Sequence, residues 1–124
     1  TFEIVDIGKN KKALVSTFQS DGNQHFEKIK NVDLLQLNKL THLFSICTAY
    51  DNSCCKIPET ENDSCEAKRY EESFTIVKTN SEWFNIKVHH KDFGFTKGCR
   101  ESFVTSESDK ELIYFDGKYV EKNN

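Results

Sequence analysis

Cysteine is the residue type whose number and spacing in this chain predict a chemistry most directly. The sequence contains five cysteines, and four of them fall close together. They are Cys47, Cys54, Cys55 and Cys65, and Cys99 follows further along the chain. A zinc site would need C-x2-C pairs or an H-x3-H partner, and neither occurs. Dense cysteines without metal-ligand spacing are typical of disulfides in an oxidising compartment. The spacing therefore predicts a secreted domain that is stapled by disulfides.

The pairing of the cysteines stays open at this level. An odd count leaves one thiol free, modified or bridged to another molecule, so a disulfide-linked homodimer is one alternative. Cys54 and Cys55 are adjacent, and a bridge between neighbours is strained, so we expect them to have different partners. Cys99 is expected to tie the C-terminal strands to the cysteine-rich loop.

Histidines are the next candidates for chemistry. His89 and His90 are neighbours and are followed by Asp92, which suggests metal ligands or an acid and a base. Neighbouring residues of a strand point to opposite faces, so the two histidines do not readily share an ion, and no H-E-x-x-H is present. We predict no metal and no cofactor. A small secreted hydrolase or nuclease, with His25 and His90 as base and acid and Lys91 on a phosphate, is the third hypothesis for function.

No further catalytic motif supports an enzyme. The serines lack a G-x-S-x-G elbow, and no glycine-rich loop for phosphate is present. Paired carboxylates such as Glu71 and Glu72 lie among other charges, as on a solvated surface. We therefore expect a non-enzymatic protein.

Aromatic residues indicate a binding surface. Trp83 lies beside a predicted hairpin turn, and Phe93 and Phe95 follow on the next strand. Exposed rings surrounded by charges are typical of protein-binding hot spots, so we predict a contact surface of Trp83, Phe93 and Phe95 with His89 and Lys91 at its edge. Two alternatives remain: the rings are covered by a second layer, or they line a pocket for an apolar ligand inside a barrel.

Composition excludes some classes of partner. The chain has 17 basic and 20 acidic residues, so it lacks the basic excess that holds nucleic acid. No apolar run approaches the ~20 residues of a membrane span. Asn62 begins an N-glycosylation triplet, which is consistent with secretion. The length of 124 residues predicts a single domain over 1–124.

Alternating apolar and polar residues predict several short antiparallel strands. Their approximate positions are 2–7, 13–19, 24–29, 74–78, 84–89, 99–105, 112–115 and 118–120. Asp21-Gly22 and Asp116-Gly117 are strong signals for tight hairpin turns. The first three strands are expected to form a meander, and residues 106–110 are expected to form a polar turn.

One stretch has a helical period instead. Leu37, Leu40, Phe44 and Cys47 recur at spacings of three and four residues, which predicts a helix near residues 33–49. A buried strand within residues 43–50 is the competing interpretation, and residues 66–72 are expected to form a short helical turn. The predicted fold class is α+β: a mostly antiparallel sheet, sandwich-like or barrel-like, with one helix and a disulfide staple.

These features predict a secreted, non-enzymatic recognition module that binds another protein as a ligand, an inhibitor or a host-interaction effector. The prediction rests on the class of small, disulfide-stapled domains without catalytic motifs. The first alternative is a β-barrel carrier of a lipid or other apolar small molecule, whose Phe and Tyr side chains would line a cavity.

Overall fold

A computed structural model describes residues 2–22, 25–52, 68–95 and 102–122, and this part of the chain is all β. The strands are β1 (Phe2–Gly8), β2 (Lys11–Gly22), β3 (His25–Leu35), β4 (Leu40–Asn52), β5 (Lys68–Val77), β6 (Asn85–Phe95), β7 (Ser102–Phe115) and β8 (Lys118–Glu121). Each strand pairs antiparallel with the next one in the chain, so the eight form one open sheet in the order β1 to β8.

Local turn chemistry produces this meander. Asp116 and Gly117 connect β7 to β8 with φ angles of 49° and 91°, the left-handed conformation that two-residue hairpin turns require. Asn10 has a φ of 56° in the turn between β1 and β2. The predicted hairpin at Asp116-Gly117 and the predicted meander of the first three strands are therefore confirmed.

The predicted helix near residues 33–49 is wrong. β3 ends at Leu35, a short turn follows, and β4 begins at Leu40. The apparent helical period of residues 33–49 has two sources. Leu37 belongs to the turn and is 97% exposed. Leu43 is an extra residue in β4, because Val32 pairs with Phe44 and Asp33 pairs with His42.

That bulge buries Leu43 and Phe44 together and breaks the two-residue alternation of a strand. The competing interpretation, a buried strand within residues 43–50, is confirmed because these residues lie in β4. The α+β class is corrected to all-β for the described residues.

Three further expectations are corrected. Residues 68–72 belong to β5 rather than to a helical turn, and the expected turn at 106–110 lies within the continuous strand β7. No disulfide is found in the described part of the chain, where Cys47 carries a free thiol, so the staple is not supported. The other cysteines, Cys54, Cys55, Cys65 and Cys99, lie outside the described residues. The described residues contain no helix long and apolar enough to cross a membrane.

The sheet curves so that the end of β1 contacts the segment before β6, and its inner face forms the core. Buried apolar side chains from most strands form one cluster on this face. Its members are Ile7, Ala13, Val15, Val32, Leu43, Phe44, Ile46, Ile86, Val88, Leu112 and Tyr119. Burial on one face of antiparallel strands explains the alternation in their sequences.

A backbone junction closes the curve. Gly8, at the end of β1, forms a β-bridge with Trp83, just before β6. The amide of Phe84 donates to the carbonyl of Ile7 at 3.0 Å, and the amide of Lys9 donates to the carbonyl of Glu82 at 2.9 Å. A Cβ on Gly8 would lie 2.3 Å from the Glu82 carbonyl oxygen, so this close approach requires glycine.

Tyr119 of β8 completes the junction from inside the core. Its buried hydroxyl donates to the carbonyl of Phe84 at 2.6 Å, and its ring contacts Phe44 edge-on with centroids 5.4 Å apart. Burial raises the pKa of Tyr119 far above its usual value, so the hydroxyl stays protonated and remains a donor. One side chain therefore links β8, β4 and the segment before β6.

Replacing Tyr119 with phenylalanine keeps the ring and removes this hydrogen bond. We expect Tyr119→Phe to lower the free energy of unfolding by about 1–2 kcal/mol, because a buried carbonyl loses its donor. Urea denaturation measures the change. Tyr114→Phe is the matched control: Tyr114 stacks on Trp83, and its hydroxyl has no hydrogen bond within the described residues. Equal losses in the two variants would contradict the role of the Tyr119 hydroxyl.

Candidate functional site

A cleft opens between strands β4 and β5, which pair over a short length within the described residues. Among the described residues, β4 and β5 pair from Tyr50↔Tyr70 to Asn52↔Lys68, at one end of both strands. Beyond these pairs the strands diverge, and a cleft of about 530 Å³ separates β5 from the inner face of β1 to β4. We call this space the β4–β5 cleft. Its volume lies within the range of about 300–1,000 Å³ that is usual for small-molecule sites.

The lining of the cleft has an apolar part and a polar part. The apolar part continues the core and consists of Val5, Val15, Ile46, Phe74 and Ile76. The polar part consists of Glu3, Lys28, Lys30, Thr48, Glu72 and Ser73. Val15 and Ile46 are buried, whereas Glu3, Lys28 and Ser73 are exposed, so the polar residues include those at the mouth. Such a lining suits a molecule with an apolar body and a polar end.

A histidine bridged by two carboxylates lies beside the cleft. Glu72 reaches Nδ1 of His90 with Oε2 at 3.1 Å, and Asp92 reaches Nε2 with Oδ1 at 3.0 Å. The other Glu72 oxygen accepts the backbone N–H of Cys47 at 3.1 Å. We call Glu72, His90 and Asp92 the His90 cluster. Because Glu72 bonds to both β4 and β6, it spans the region where β4 and β5 diverge.

Strand register explains why these groups meet. Glu72 lies directly opposite His90, and Tyr70 lies opposite both Tyr50 and Asp92 in the two flanking ladders. The Tyr50 and Tyr70 rings stack with centroids 4.9 Å apart, and Tyr70 stacks on His90 at 5.3 Å. Aromatic pairs across strands stabilise a sheet. The stack therefore supports the short ladder that joins β4 to β5 in the described residues.

The protonation states follow from these contacts. Burial acts to lower the pKa of His90, but the hydrogen bonds to Asp92 and Glu72 outweigh it and the pKa is raised. The hydrogen bonds from His90 and Ser106 lower the pKa of Asp92. Both ring nitrogens of a protonated histidine donate, which matches a carboxylate on each side. The His90 cluster therefore favours the protonated imidazole more strongly than solvent alone would.

This geometry does not form a nucleophile–base pair. The Ser106 hydroxyl donates to Asp92 at 3.0 Å, so the carboxylate, not the imidazole, lies next to the serine. Burial raises the pKa of the Cys47 thiol, which opposes formation of a reactive thiolate. Burial and the Cys47 hydrogen bond raise the pKa of Tyr70 to about 12. Among the described side chains, no group of three or more His, Cys, Asp or Glu could hold a metal ion.

The acid–base pair of the nuclease hypothesis is not on adjacent strands. His25 begins β3, and its side chain lies outside the described part of the structure, whereas His90 lies in β6. Lys91 contacts Glu107 at 3.7 Å on the face opposite His90. The geometry adds no support to this hypothesis.

The structure brings together four of the five residues of the predicted contact surface. By alternation His89, Lys91, Phe93 and Phe95 share the outer face of β6, whereas Trp83 lies before that strand. Trp83 stacks on Tyr114 with centroids 3.7 Å apart and is half-buried against the core. Trp83 is therefore a structural contact of the closing junction in this fold, and its binding role stays a prediction.

The outer face of β6 is already paired with its neighbours. His89 lies 2.5 Å from Asp109 and 3.1 Å from Glu107, and Arg69 covers the ring of Phe93 at 4.6 Å. The hydrogen bonds to Asp109 and Glu107 raise the pKa of His89. These contacts compete with any partner for the same groups.

The residues that line the cleft were not singled out from the sequence. The signal in the sequence is a change from apolar to charged side chains along one face of a strand. In β3 this face carries Val32 and then Lys30 and Lys28, and in β6 it carries Val88 and then His90 and Asp92. In β5 the same face changes from Ile76 and Phe74 to Glu72 and Tyr70. The sheet register shows that the changes in β5 and β6 occur side by side, because Phe74 pairs with Val88 and Glu72 pairs with His90.

The fold and site together define a class: an all-β meander with an amphipathic cleft. No protein-family model, no curated protein and no solved structure matches the chain. Function must therefore be argued from the geometry of the cleft and its surroundings.

The His90 cluster predicts a specific pH dependence of stability. A raised His90 pKa contributes stability that is fully present below the ordinary value of 6.5 and is lost as pH rises through the folded-state pKa. The lowered Asp92 pKa contributes stability that is present above 3.8 and is lost as pH falls through its folded-state pKa. We expect His90→Gln to flatten the decline of unfolding free energy on the alkaline side.

Urea denaturation from mildly acidic to mildly alkaline pH tests this expectation. The reference protein and the His90→Gln variant should both carry His89→Gln. The pKa of His89 is also raised, so its titration would overlap with that of His90. An unchanged slope after His90→Gln would show that His90 does not couple to folding.

Proposed function

We propose that this chain is a non-enzymatic binding module that takes a small amphipathic molecule in the β4–β5 cleft. The observation that carries the proposal is a cleft of about 530 Å³ whose apolar lining continues the core and whose mouth is charged. The proposal develops the carrier alternative of the sequence analysis, in which the ligand lies within a curved sheet.

The apolar lining supplies the affinity in this proposal. Val15 and Ile46 are buried at the inner part of the cleft, and Phe74 packs edge-on against Phe44 with centroids 5.4 Å apart. These side chains are held by strand pairing and core contacts, so the wall is formed before a ligand arrives. A preformed apolar wall reduces the ordering cost of binding.

The polar groups near the cleft support binding rather than catalysis. Glu72 and Asp92 are each engaged with His90, and Ser106 donates to Asp92. A general base or nucleophile needs a free position facing a substrate, and these groups are already paired. Secretion, which the cysteine content predicts, belongs to this proposal, and the predicted glycosylation at Asn62 lies outside the described residues.

Filling the cleft tests the proposal. Val5 lines the cleft, whereas its neighbour Ile4 faces outward and is 60% exposed. We expect Val5→Trp to weaken the binding of decanol, a neutral chain molecule, by about tenfold, since losing contact with about 60 Å² of apolar surface costs about 1.5 kcal/mol. Isothermal titration calorimetry below the solubility limit of decanol measures the affinity.

Ile4→Trp is the matched control, because it adds the same ring one position away on the opposite face of β1. We expect this variant to bind decanol as the unsubstituted chain does. Circular dichroism checks that both variants keep the sheet. Absence of decanol binding to the unsubstituted chain, or equal binding by both variants, would contradict a ligand site in the cleft.

Recognition of another protein is the second candidate, and the edge strand β1 favours it. In the described residues β1 pairs along its length with β2, and its other edge is bridged at the Gly8 end by Trp83; Phe2 and Ile4 on its outer face are 77% and 60% exposed. An apolar edge strand is a template for pairing with a strand of another chain. A second copy is the partner that can be tested directly: sedimentation velocity should show self-association that Ile4→Lys weakens. A chain that is monomeric at all concentrations would contradict this use of β1.

A further inference from the structure

Two lysines that line the β4–β5 cleft form no ion pair with any described residue. Lys28 and Lys30 lie two residues apart in β3, so they project from the same face, and both line the cleft. Neither ammonium group forms an ion pair within the described residues. Lysines elsewhere in the sheet do form such pairs: Lys11 contacts Glu82 at 3.0 Å, and Lys91 contacts Glu107 at 3.7 Å.

The carboxylates of the cleft leave this positive charge uncompensated. One oxygen of Glu72 binds His90 and the other accepts the N–H of Cys47, so this side chain is already committed. Glu3 is the other acid of the lining, and it makes no ion pair with Lys28 or Lys30. Among the described lining residues, the cleft thus holds two ammonium groups against one acid, Glu3, that is not committed elsewhere.

We propose that the ligand of the cleft is an anionic amphiphile, in which a single apolar chain lies against the apolar lining and a carboxylate or similar anionic head binds Lys28 and Lys30. This inference rests on the proposed binding function and specifies its ligand class. The arrangement of charge and apolar surface is what such a ligand requires: the chain enters the inner part of the cleft, and the head stays at the solvent-facing mouth.

The anionic head of the proposed ligand contributes more to the selectivity for anionic over neutral ligands than to the total binding affinity. Lys28 is exposed, and ion pairs in contact with water are weakened by hydration and by salt. Two lysines acting on one head are expected to provide about tenfold preference over a neutral head, which is the usual scale of charge-assisted hydrogen bonds at partly exposed sites. The preference should diminish as salt concentration rises, while binding of the neutral chain should not.

Ligands that share one chain and differ in the head test the inference. Calorimetry should use decanoate, decanol and decyltrimethylammonium, each below its micelle or solubility limit, with acetate as a head without a chain. We expect decanoate to bind about tenfold more tightly than decanol, the cation to bind most weakly, and acetate not to bind. Tight binding of acetate alone would show a simple anion site and would overturn the inference.

The double variant Lys28→Gln/Lys30→Gln should reduce decanoate affinity to that of decanol and leave decanol affinity unchanged. Lys39→Gln/Lys118→Gln is the matched control, because it removes the same net charge from exposed positions in the β3–β4 turn and in β8. This control should keep the preference for decanoate.

The outcomes separate the two proposals. Equal affinity for decanoate and decanol, with Val5→Trp still weakening both, would overturn the anionic head and leave the cleft as a binding site. No binding of any chain molecule would overturn both. Loss of the preference in the Lys39/Lys118 control would also overturn the inference, since net charge and not the cleft would then explain it.

Discussion

A sheet with no second layer must bury its apolar face on itself, and the rest of this structure depends on how that is achieved. In the described residues the solution is the junction where Ile7 and Gly8 meet Trp83 and Phe84 and where the Tyr119 hydroxyl binds the Phe84 carbonyl. Without this junction the inner face would remain exposed, because neighbouring strands alone hold a sheet together without closing it. Burying the inner face supplies the main favourable free energy of folding. The junction is the point at which local strand pairing becomes a tertiary core.

The pairing between β4 and β5 is the second feature that shapes the curved sheet. Within the part of the chain that the structure describes, β4 and β5 share three residue pairs, Tyr50 to Asn52 with Lys68 to Tyr70, and the two strands diverge beyond Tyr50 and Tyr70. In β5 and β6 the inner face changes from apolar to charged side by side, at the pairs Phe74↔Val88 and Glu72↔His90, and Lys28 and Lys30 of β3 line the same cleft as Glu72 and Phe74. The Glu72 carboxylate bonds both the Cys47 amide and His90, which supports the diverging region without closing it. The short pairing between β4 and β5 therefore weakens the sheet and also leaves the space in which we propose that a ligand binds.

Predictions from sequence succeeded where a short stretch of residues carries its own conformational preference. Asp116-Gly117 predicts a hairpin turn because both residues accept positive φ, and the structure has this turn. The predicted helix near residues 33–49 is wrong because two separate features, the exposed turn residue Leu37 and a bulge at Leu43, together imitate a period of 3.6. The disulfide staple was inferred from cysteine count, a property of the whole chain that does not position any thiol, and Cys47 is free. Trp83 was assigned to a contact surface because alternation does not reveal that its ring stacks on Tyr114, more distant in sequence.

What the sequence determined by itself is the hairpin turn at Asp116-Gly117 and the approximate positions of several strands, together with the alternation that places Ile86 and Val88 on one face of β6. These properties depend on neighbours within a few positions, through backbone sterics and two-residue alternation. Only the tertiary structure decided that Lys28 and Lys30 face Phe74 across a cleft, that His90 lies between Glu72 and Asp92, and that β1 returns to the start of β6. These relations depend on register and on the curvature of the whole sheet. A bulge or a one-residue shift changes them while leaving every local propensity the same.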